Sequence, residues 1–456
     1  MINPHIFREY DIRGIVDKDL SDEVVYLLAK GFGTYLRQNQ LKKISLGGDV
    51  RLSTERFRSV LIKGLNQVGI DVIDIGIVPT PVQYFSMHHL PVEGGIMITG
   101  SHNPADYNGF KLSVQNAPIY GAEIQKIREI IESGKFTAGH GQCEKINLIP
   151  NYIEYIKQDI KITKKLKVVL DSGNGAASLV AHRLFKELGL ETIDLFDIPD
   201  GRFPNHHPDP TVVEYIHDLI ETVKLNKADL GIGYDGDADR LGVIDEQGRI
   251  IWGDRLLIIF SREILRKHPG AKIIFEVKCS QALPEMIEKF GGQPIMWKTG
   301  HSLLKKKMKE TGAPLAGEMS GHLFFADRYF GYDDAIYASA RLVELLSQQT
   351  QPLSALLADV PSYFSTPEIR VDTINDEEKF KIATQAKDYF STHYNVIDID
   401  GVRILFGDGW GLVRASNTQP VLVLRFEAHS PQRLEEIKNL VISRLREFGK
   451  IEVKSL

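Results

Sequence analysis

One plan occurs three times in this chain, and it leaves few folds open. Residues 42–76 (KKISLGGDVRLSTERFRSVLIKGLNQVGIDVIDIG), 166–196 (LKVVLDSGNGAASLVAHRLFKELGLETIDLF) and 271–297 (AKIIFEVKCSQALPEMIEKFGGQPIMW) each read as strand, polar turn, helix, glycine, strand. The opening strands are almost wholly apolar, as strands must be when helices cover both faces of their sheet. The helices carry apolar residues at helical spacing, as at Val60, Leu61, Leu65 and Val68. A glycine follows each helix, where a C-terminal cap is needed. Three such units predict three α/β domains of similar build.

Each unit is followed by another strand that ends in a polar, glycine-bearing loop: GGIMITGSHNP, then ADLGIGYDGDADRLGVID, then APLAGEMSGHLFF. Ligands of open α/β sheets gather at strand ends, so the three loops are expected to face one cleft. Past Pro361 the texture changes. LVRASNTQPVLVLRFEAHS reads as two strands around a polar loop, and PQRLEEIKNLVISRLREF as a helix. The predicted architecture is α/β: three similar α/β domains with mixed sheets (1–148, 149–250 and 251–360) plus a smaller α+β C-terminal domain (361–456), around a central active-site cleft.

Composition narrows the class. The 456 residues are 43% hydrophobic and 25% charged, ordinary for a globular chain with a sizeable core. A net charge of −5 argues against a nucleic-acid partner, because phosphate backbones want a basic face. The run Lys305-Lys306-Lys307 reads as a solvated helix face. Cys143 and Cys279 stand far apart with no CxxC, so neither a disulfide scaffold nor a zinc site is expected. The opening MINPHIFREYDIRG lacks the apolar core of a signal peptide, and no apolar run approaches the ~18 residues of a membrane span. A cytoplasmic protein without membrane contact is expected.

Four loops carry candidate chemistry. Ser101 and His102 stand where the strand through Ile96-Met97-Ile98 stops, either as turn residues or as a serine that carries a group. Asp235, Asp237 and Asp239 alternate with Gly236 and Ala238 at a strand end, a spacing that lets three carboxylates converge on one hard cation such as Mg²⁺. The rival EF-hand reading fails because Arg240 stands where that loop needs glycine. Gly317–His322 offers a carboxylate, a hydroxyl and an imidazole that can bond sugar hydroxyls; as a tight turn it would be unremarkable. Arg414-Ala415-Ser416-Asn417-Thr418 gathers a guanidinium fork, hydroxyls and an amide, suited to phosphate or to a hairpin turn alone. A decoy is Asp171-Ser172-Gly173-Asn174-Gly175-Ala176-Ala177-Ser178, near the dinucleotide fingerprint with Asp194 at the ribose distance. Its third glycine is Ser178, and the equivalent turns GGDVRLS and EVKCSQA are no pyrophosphate cradles, so it reads as structural.

As a set, FREYDIRG, TGSHNP, DGDADR, GEMSGH and RASNT, in this order, closely resemble the α-D-phosphohexomutases, and among them the bacterial phosphomannomutase/phosphoglucomutase group. The resemblance runs the whole length. Glu318-Met319-Ser320 looks like the hexose form of the sugar loop, whereas phosphoglucosamine mutases typically carry Gln at the place of Met319; Gly100 stands where many relatives have alanine. The resemblance implies interconversion of the 1- and 6-phosphates of mannose and glucose through a phosphoserine and a hexose 1,6-bisphosphate. Ser101 would be that phosphoserine, sharing Mg²⁺ with Asp235, Asp237 and Asp239. Arg13, His102, Lys111 and Arg240 would serve the transfer, while Tyr10, Lys278, His301, Glu318, Ser320 and His322 would bind substrate. Arg414, Ser416, Asn417 and Thr418 would grip the non-reacting phosphate. Glucose 1,6-bisphosphate would be the activator, hexose phosphates the substrates, and the chain a monomer. Rival readings are phosphoglucosamine mutase, a metal-dependent phosphatase that runs through a phosphoserine, a dinucleotide enzyme, and a non-catalytic sugar-phosphate-binding protein.

Overall fold

The structure is a computed structural model, and it describes residues 2–416 and 421–453. The three repeats fold as their patterns require. In the first, strands Lys43–Gly48 and Asp71–Ile77 are parallel neighbours joined by helix Thr54–Gln67. Lys167–Asp171 and Glu191–Leu195 pair in the same way, as do Lys272–Glu276 and Gln293–Trp297. The glycine after each helix, Gly69 (φ 81), Gly189 (φ 84) or Gly291 (φ 78), is left-handed, which turns the chain back to the sheet at little steric cost.

The strand after each unit inserts on the other side of the opening strand. Gly94–Ile98 lies parallel to Lys43–Gly48, Leu230–Tyr234 to Lys167–Asp171, and Leu315–Gly317 to Lys272–Glu276. Antiparallel partners follow in the first two sheets: Tyr107–Val114 beside Gly94–Ile98, and Leu241–Asp245 beside Leu230–Tyr234. The sheets are therefore mixed, and their central parallel strands are buried along nearly their whole length, while the outer strands Glu191–Leu195 and Gln293–Trp297 are mostly half-buried. The C-terminal sheet is antiparallel, with Gly409–Ala415 and Val421–Ala428 at its centre and helices Asp376–His393 and Pro431–Phe448 against it.

Two compact units emerge. One comprises Met1–Glu263 and Ser320–Ala358, the other Ile264–Met319 and Asp359–Leu456. The boundary passes between Met319 and Ser320, inside the GEMSGH loop. Among the described residues, no helix is long and apolar enough to cross a membrane.

Candidate active site

Within the first unit, two strand ends meet. Ser101 follows strand Gly94–Ile98, and the three aspartates follow strand Leu230–Tyr234. The Ser101 hydroxyl donates to Asp235 Oδ2 at 2.8 Å, and His102 Nδ1 lies 3.2 Å from the same hydroxyl. Close approach of the loops requires Gly236, since a Cβ there would sit 2.5 Å from the Ser101 carbonyl oxygen. Ser101 (φ 47) and Ala238 (φ 63) both adopt left-handed backbone, a conformation that costs an L-residue about 1–2 kcal/mol. Strain of this kind persists only where surrounding bonds over-determine it.

Arg51 is the chief restraint. Its buried guanidinium donates to four carbonyls of the serine loop: Ser101 (2.8 Å), Asn103 (2.6 Å), Pro104 (2.6 Å) and Tyr107 (2.8 Å). Asp49 faces its Nε at 3.3 Å. Gly100 is placed by the same contact, because a Cβ there would lie 2.5 Å from the Arg51 guanidinium carbon.

The aspartates are fully buried and their ligand oxygens lie within 4.8 Å of one another. Asp235 Oδ1 accepts the backbone N–H groups of Asp239 (3.0 Å) and Arg240 (3.1 Å). Lys111, on strand Tyr107–Val114, donates to Asp237 Oδ2 at 2.7 Å and Asp239 Oδ2 at 2.5 Å. Thr80 adds a hydroxyl to Asp237 Oδ2 at 2.6 Å. Among the described residues, no hydrogen-bond donor reaches the other oxygens, Asp237 Oδ1 and Asp239 Oδ1, both of them buried. Bare, buried carboxylate oxygens in an all-oxygen cluster fit a hard divalent cation. The electrostatics agree. Burial and the charges of Asp239 and Asp237 push the Asp235 carboxyl well up. Burial would lower Lys111, but Asp237 and Asp239 hold it well above its ordinary value. Burial, Arg240 and Arg13 depress His102, so its imidazole is neutral.

The remaining residues expected in this unit lie as follows. Arg13 bonds Asn103 Oδ1 at 3.1 Å and pairs with Asp11 at 2.5 Å, beside the serine loop. Arg240 donates through Nε to His322 Nε2 at 3.0 Å, and His322 Nδ1 faces Asp333 at 3.2 Å. Tyr10 and Ser320 are half-buried, Tyr10 just before strand Ile12–Ile15.

The second unit gathers another set. Glu318 follows strand Leu315–Gly317 and accepts the Gly300 N–H at 2.7 Å, next to His301 at the start of helix His301–Thr311. Lys278 follows strand Lys272–Glu276 and pairs with Glu368 at 3.0 Å; its charge holds Glu368 down at about 2. Arg414 Nε donates to Asp400 at 3.0 Å, and the same carboxylate oxygen accepts the Thr299 N–H at 3.0 Å. Asp400 thus ties Arg414 to the turn before His301. Ser416 donates its backbone N–H to Val421 at 3.0 Å, while Asn417 and Thr418 lie outside the described residues.

The chain matches four family models: phosphoglucomutase/phosphomannomutase alpha/beta/alpha domain I over residues 4–138, domain II over 150–248 and domain III over 252–364, and the C-terminal domain over 368–443. It is 48% identical to the phosphomannomutase/phosphoglucomutase of Pseudomonas putida, covering 96% of this chain and 95% of that protein. The chain belongs to the phosphoglucomutase/phosphomannomutase family. The phosphoglucomutase of Neisseria gonorrhoeae is 42% identical, with 96% of each chain covered. Among solved structures, a phosphoglucomutase/phosphomannomutase family protein of Burkholderia thailandensis superposes with a TM-score of 0.93 at 43% identity, covering 99% of this chain and 100% of that one.

For this phosphoglucomutase/phosphomannomutase family member, sequence reasoning missed Arg51, Thr80, Asp49, Asp333, Glu368 and Asp400. Each acts by holding another residue, so none carries a motif. The available signal for Arg51 was slight: an arginine two positions from an aspartate in a turn, GGDVRLS.

Proposed function

We propose that this chain, an isomerase that moves a phosphoryl group within a hexose phosphate, interconverts the 1- and 6-phosphates of mannose and glucose with Ser101 as carrier. The observation that supports this most is the Ser101 hydroxyl, held in left-handed backbone and bonded at 2.8 Å to a buried aspartate of the cation cluster. Phosphoryl transfer demands positioning and neutralised charge more than covalent chemistry from the protein. The bond between the Ser101 oxygen and phosphorus breaks as a bond from phosphorus to the sugar hydroxyl oxygen forms, with the hydroxyl proton ending on the freed Ser101 oxygen, giving the 1,6-bisphosphate; the reverse step uses the other phosphate after the intermediate turns. Asp235, Asp237 and Asp239 would hold Mg²⁺ together with a phosphoserine oxygen, and the cation would neutralise charge on the moving phosphoryl group. Lys111, Arg240 and Arg13 contribute fixed positive charge, and neutral His102 hydrogen-bonds the serine oxygen.

Glu318 and Ser320 would bond sugar hydroxyls, with Tyr10, Lys278, His301 and His322 lining the substrate. Arg414, Ser416, Asn417 and Thr418 would grip the phosphate that is not reacting. The 3- and 4-hydroxyls are common to mannose and glucose, so a glutamate reading only those accepts both sugars. Glucose 1,6-bisphosphate would rephosphorylate an enzyme that has lost its phosphate. The domain division 1–148, 149–250, 251–360 and 361–456, a cytoplasmic location, a monomeric state and the absence of nucleic-acid or membrane partners belong to the same reading. The test is Ser101→Ala, assayed on mannose 1-phosphate, glucose 1-phosphate and glucosamine 1-phosphate. The wild type should turn over the first two and carry phosphate on Ser101 by mass spectrometry, and the variant should lose nearly all turnover while folding normally. Near-wild-type turnover by the variant would sink the proposal.

A further inference from the structure

The segment FPNHHPD, residues 203–209, has no part in the chemistry above, yet it is anchored on both sides. Its anchor is the very loop that imitates a dinucleotide fingerprint. Asp171 accepts from His206 Nε2 at 3.1 and 3.2 Å and from the Gly173 N–H at 2.9 Å. Asn205 donates to Asn174 Oδ1 at 2.8 Å. Gly173 is left-handed (φ 50), and a Cβ there would lie 3.0 Å from Pro208 and 3.2 Å from His206. The Ala176 N–H donates to the Gly236 carbonyl at 2.9 Å. The turn is therefore filled by protein, and its carboxylate serves a histidine.

Both nitrogens of His206 face acceptors, Nε2 the Asp171 carboxylate and Nδ1 the His207 carbonyl at 3.0 Å; burial would lower its pKa, but the bond to and charge of Asp171 raise it. That ion pair fixes the backbone at His207. The His207 ring packs edge-on against Tyr215, with centroids 5.4 Å apart, and its Nε2 meets the carbonyl oxygen of His102. A carbonyl can only accept, so Nε2 bears the hydrogen. Arg51 takes the carbonyls of Ser101, Asn103 and Pro104 and leaves out that of His102. His207 supplies the missing donor.

We infer that His207 is a positioning residue for the Ser101 loop, its Nε2–H completing the ring of donors that Arg51 begins, with the Asp171–His206 pair as its anchor. The peptide that follows His102 is thereby fixed, and with it the left-handed turn that directs the Ser101 hydroxyl at Asp235. The inference rests on Ser101 being the phosphoryl carrier. Its test is separate: steady-state kinetics of full-length His207→Ala, His207→Gln and His207→Asn with glucose 1-phosphate and saturating glucose 1,6-bisphosphate, alongside Ser101→Ala. The glutamine amide nitrogen occupies nearly the place of Nε2, whereas the asparagine amide is one methylene too short to reach. His207→Ala and His207→Asn should lose about tenfold to a hundredfold in kcat with KM changed by less than about twofold, and His207→Gln should recover most of the loss. If His207→Ala does not fold, the Asn and Gln pair carries the comparison. A kcat for Ala or Asn within about twofold of wild type, or a Gln variant as slow as Asn, overturns the positioning role. An active Ser101→Ala would instead remove the carrier reading on which it rests.

Discussion

Arg51→Lys is the change that best tests whether the serine loop is held from beneath. The wild-type guanidinium makes four bonds of 2.6–2.8 Å to carbonyls of the loop, and faces Asp49 besides. It is 2% exposed, so water does not replace lost partners. A lysine keeps the charge, but its compact ammonium cannot span carbonyls that a planar fork reaches on two edges. It can satisfy one or two of the four. A net hydrogen bond to a charged group contributes about 1.5–3 kcal/mol, so losing two or three, with partial relaxation, should cost about 3–5 kcal/mol. Urea unfolding followed by circular dichroism measures that loss as a shift of the midpoint at unchanged slope. Turnover should fall further than stability alone explains, because Ser101 relaxes from its left-handed conformation and its hydroxyl leaves Asp235. Assays at a temperature where the variant is fully folded separate the two effects. A variant within about 1 kcal/mol of wild type and with unchanged kcat would show that the four bonds are incidental to the loop.

Two further outcomes are expected. Chelation with EDTA should abolish turnover and Mg²⁺ restore it; the cation should also raise the unfolding free energy, by about 2.7 kcal/mol at a hundredfold excess over its dissociation constant, and full activity in chelator would count against the aspartate site. Asp334 caps helix Ala335–Ser347 and accepts from Tyr152 and Tyr329 at 2.9 Å, and burial pushes its carboxyl up to about 7. Its folded pKa exceeds the unfolded value, so it contributes stability that is complete at low pH and lost as pH rises from about 4 through about 7. Asp334→Asn keeps the cap to the Tyr337 N–H and should flatten that slope; an unaltered stability profile would refute the assignment.

The three repeated units were legible because apolar residues mark both kinds of element, near-continuous runs in the opening strands and helical spacing in Val60, Leu61, Leu65 and Val68. The strand following each unit was legible for the same reason, and its buried register places Lys111 opposite Met97 beside the serine strand. The C-terminal region was read less fully. Sequence patterning showed Gly409–Ala415, Val421–Ala428 and the last long helix, but not helix Asp376–His393 or the strands Ile369–Asp372 and Val402–Leu405. That helix buries only Ile382, Ala386 and Phe390 fully among its apolar residues, with Ala383 and Tyr389 half-buried beside them, and polar residues dominate the rest. Too narrow a stripe leaves no clear helical signal.

The candidate site divides along a similar line, between residues that act by their own chemistry and residues that act through another. Ser101 and the three aspartates stand at strand ends with reactive groups, so spacing and residue type expose them. Arg51, Thr80 and His207 do not, because each meets its partner far along the chain: 50 positions for Arg51 to Ser101, 157 for Thr80 to Asp237 and 105 for His207 to His102. An isolated arginine or histidine in a turn looks like solvent-facing charge until the fold supplies its acceptor. The strain at Ser101 explains why so many of these partners converge there. A left-handed serine costs about 1–2 kcal/mol, whereas one buried charge-assisted bond returns about 1.5–3 kcal/mol, so a single donor would suffice to populate the turn. Four bonds from Arg51, one from His207 and the Thr99 hydroxyl on the Ser101 N–H at 2.8 Å exceed that requirement several times over. The excess does not serve the turn's existence. It serves its rigidity, since the proposed carrier role asks the Ser101 hydroxyl to return to one place beside Asp235 on every cycle.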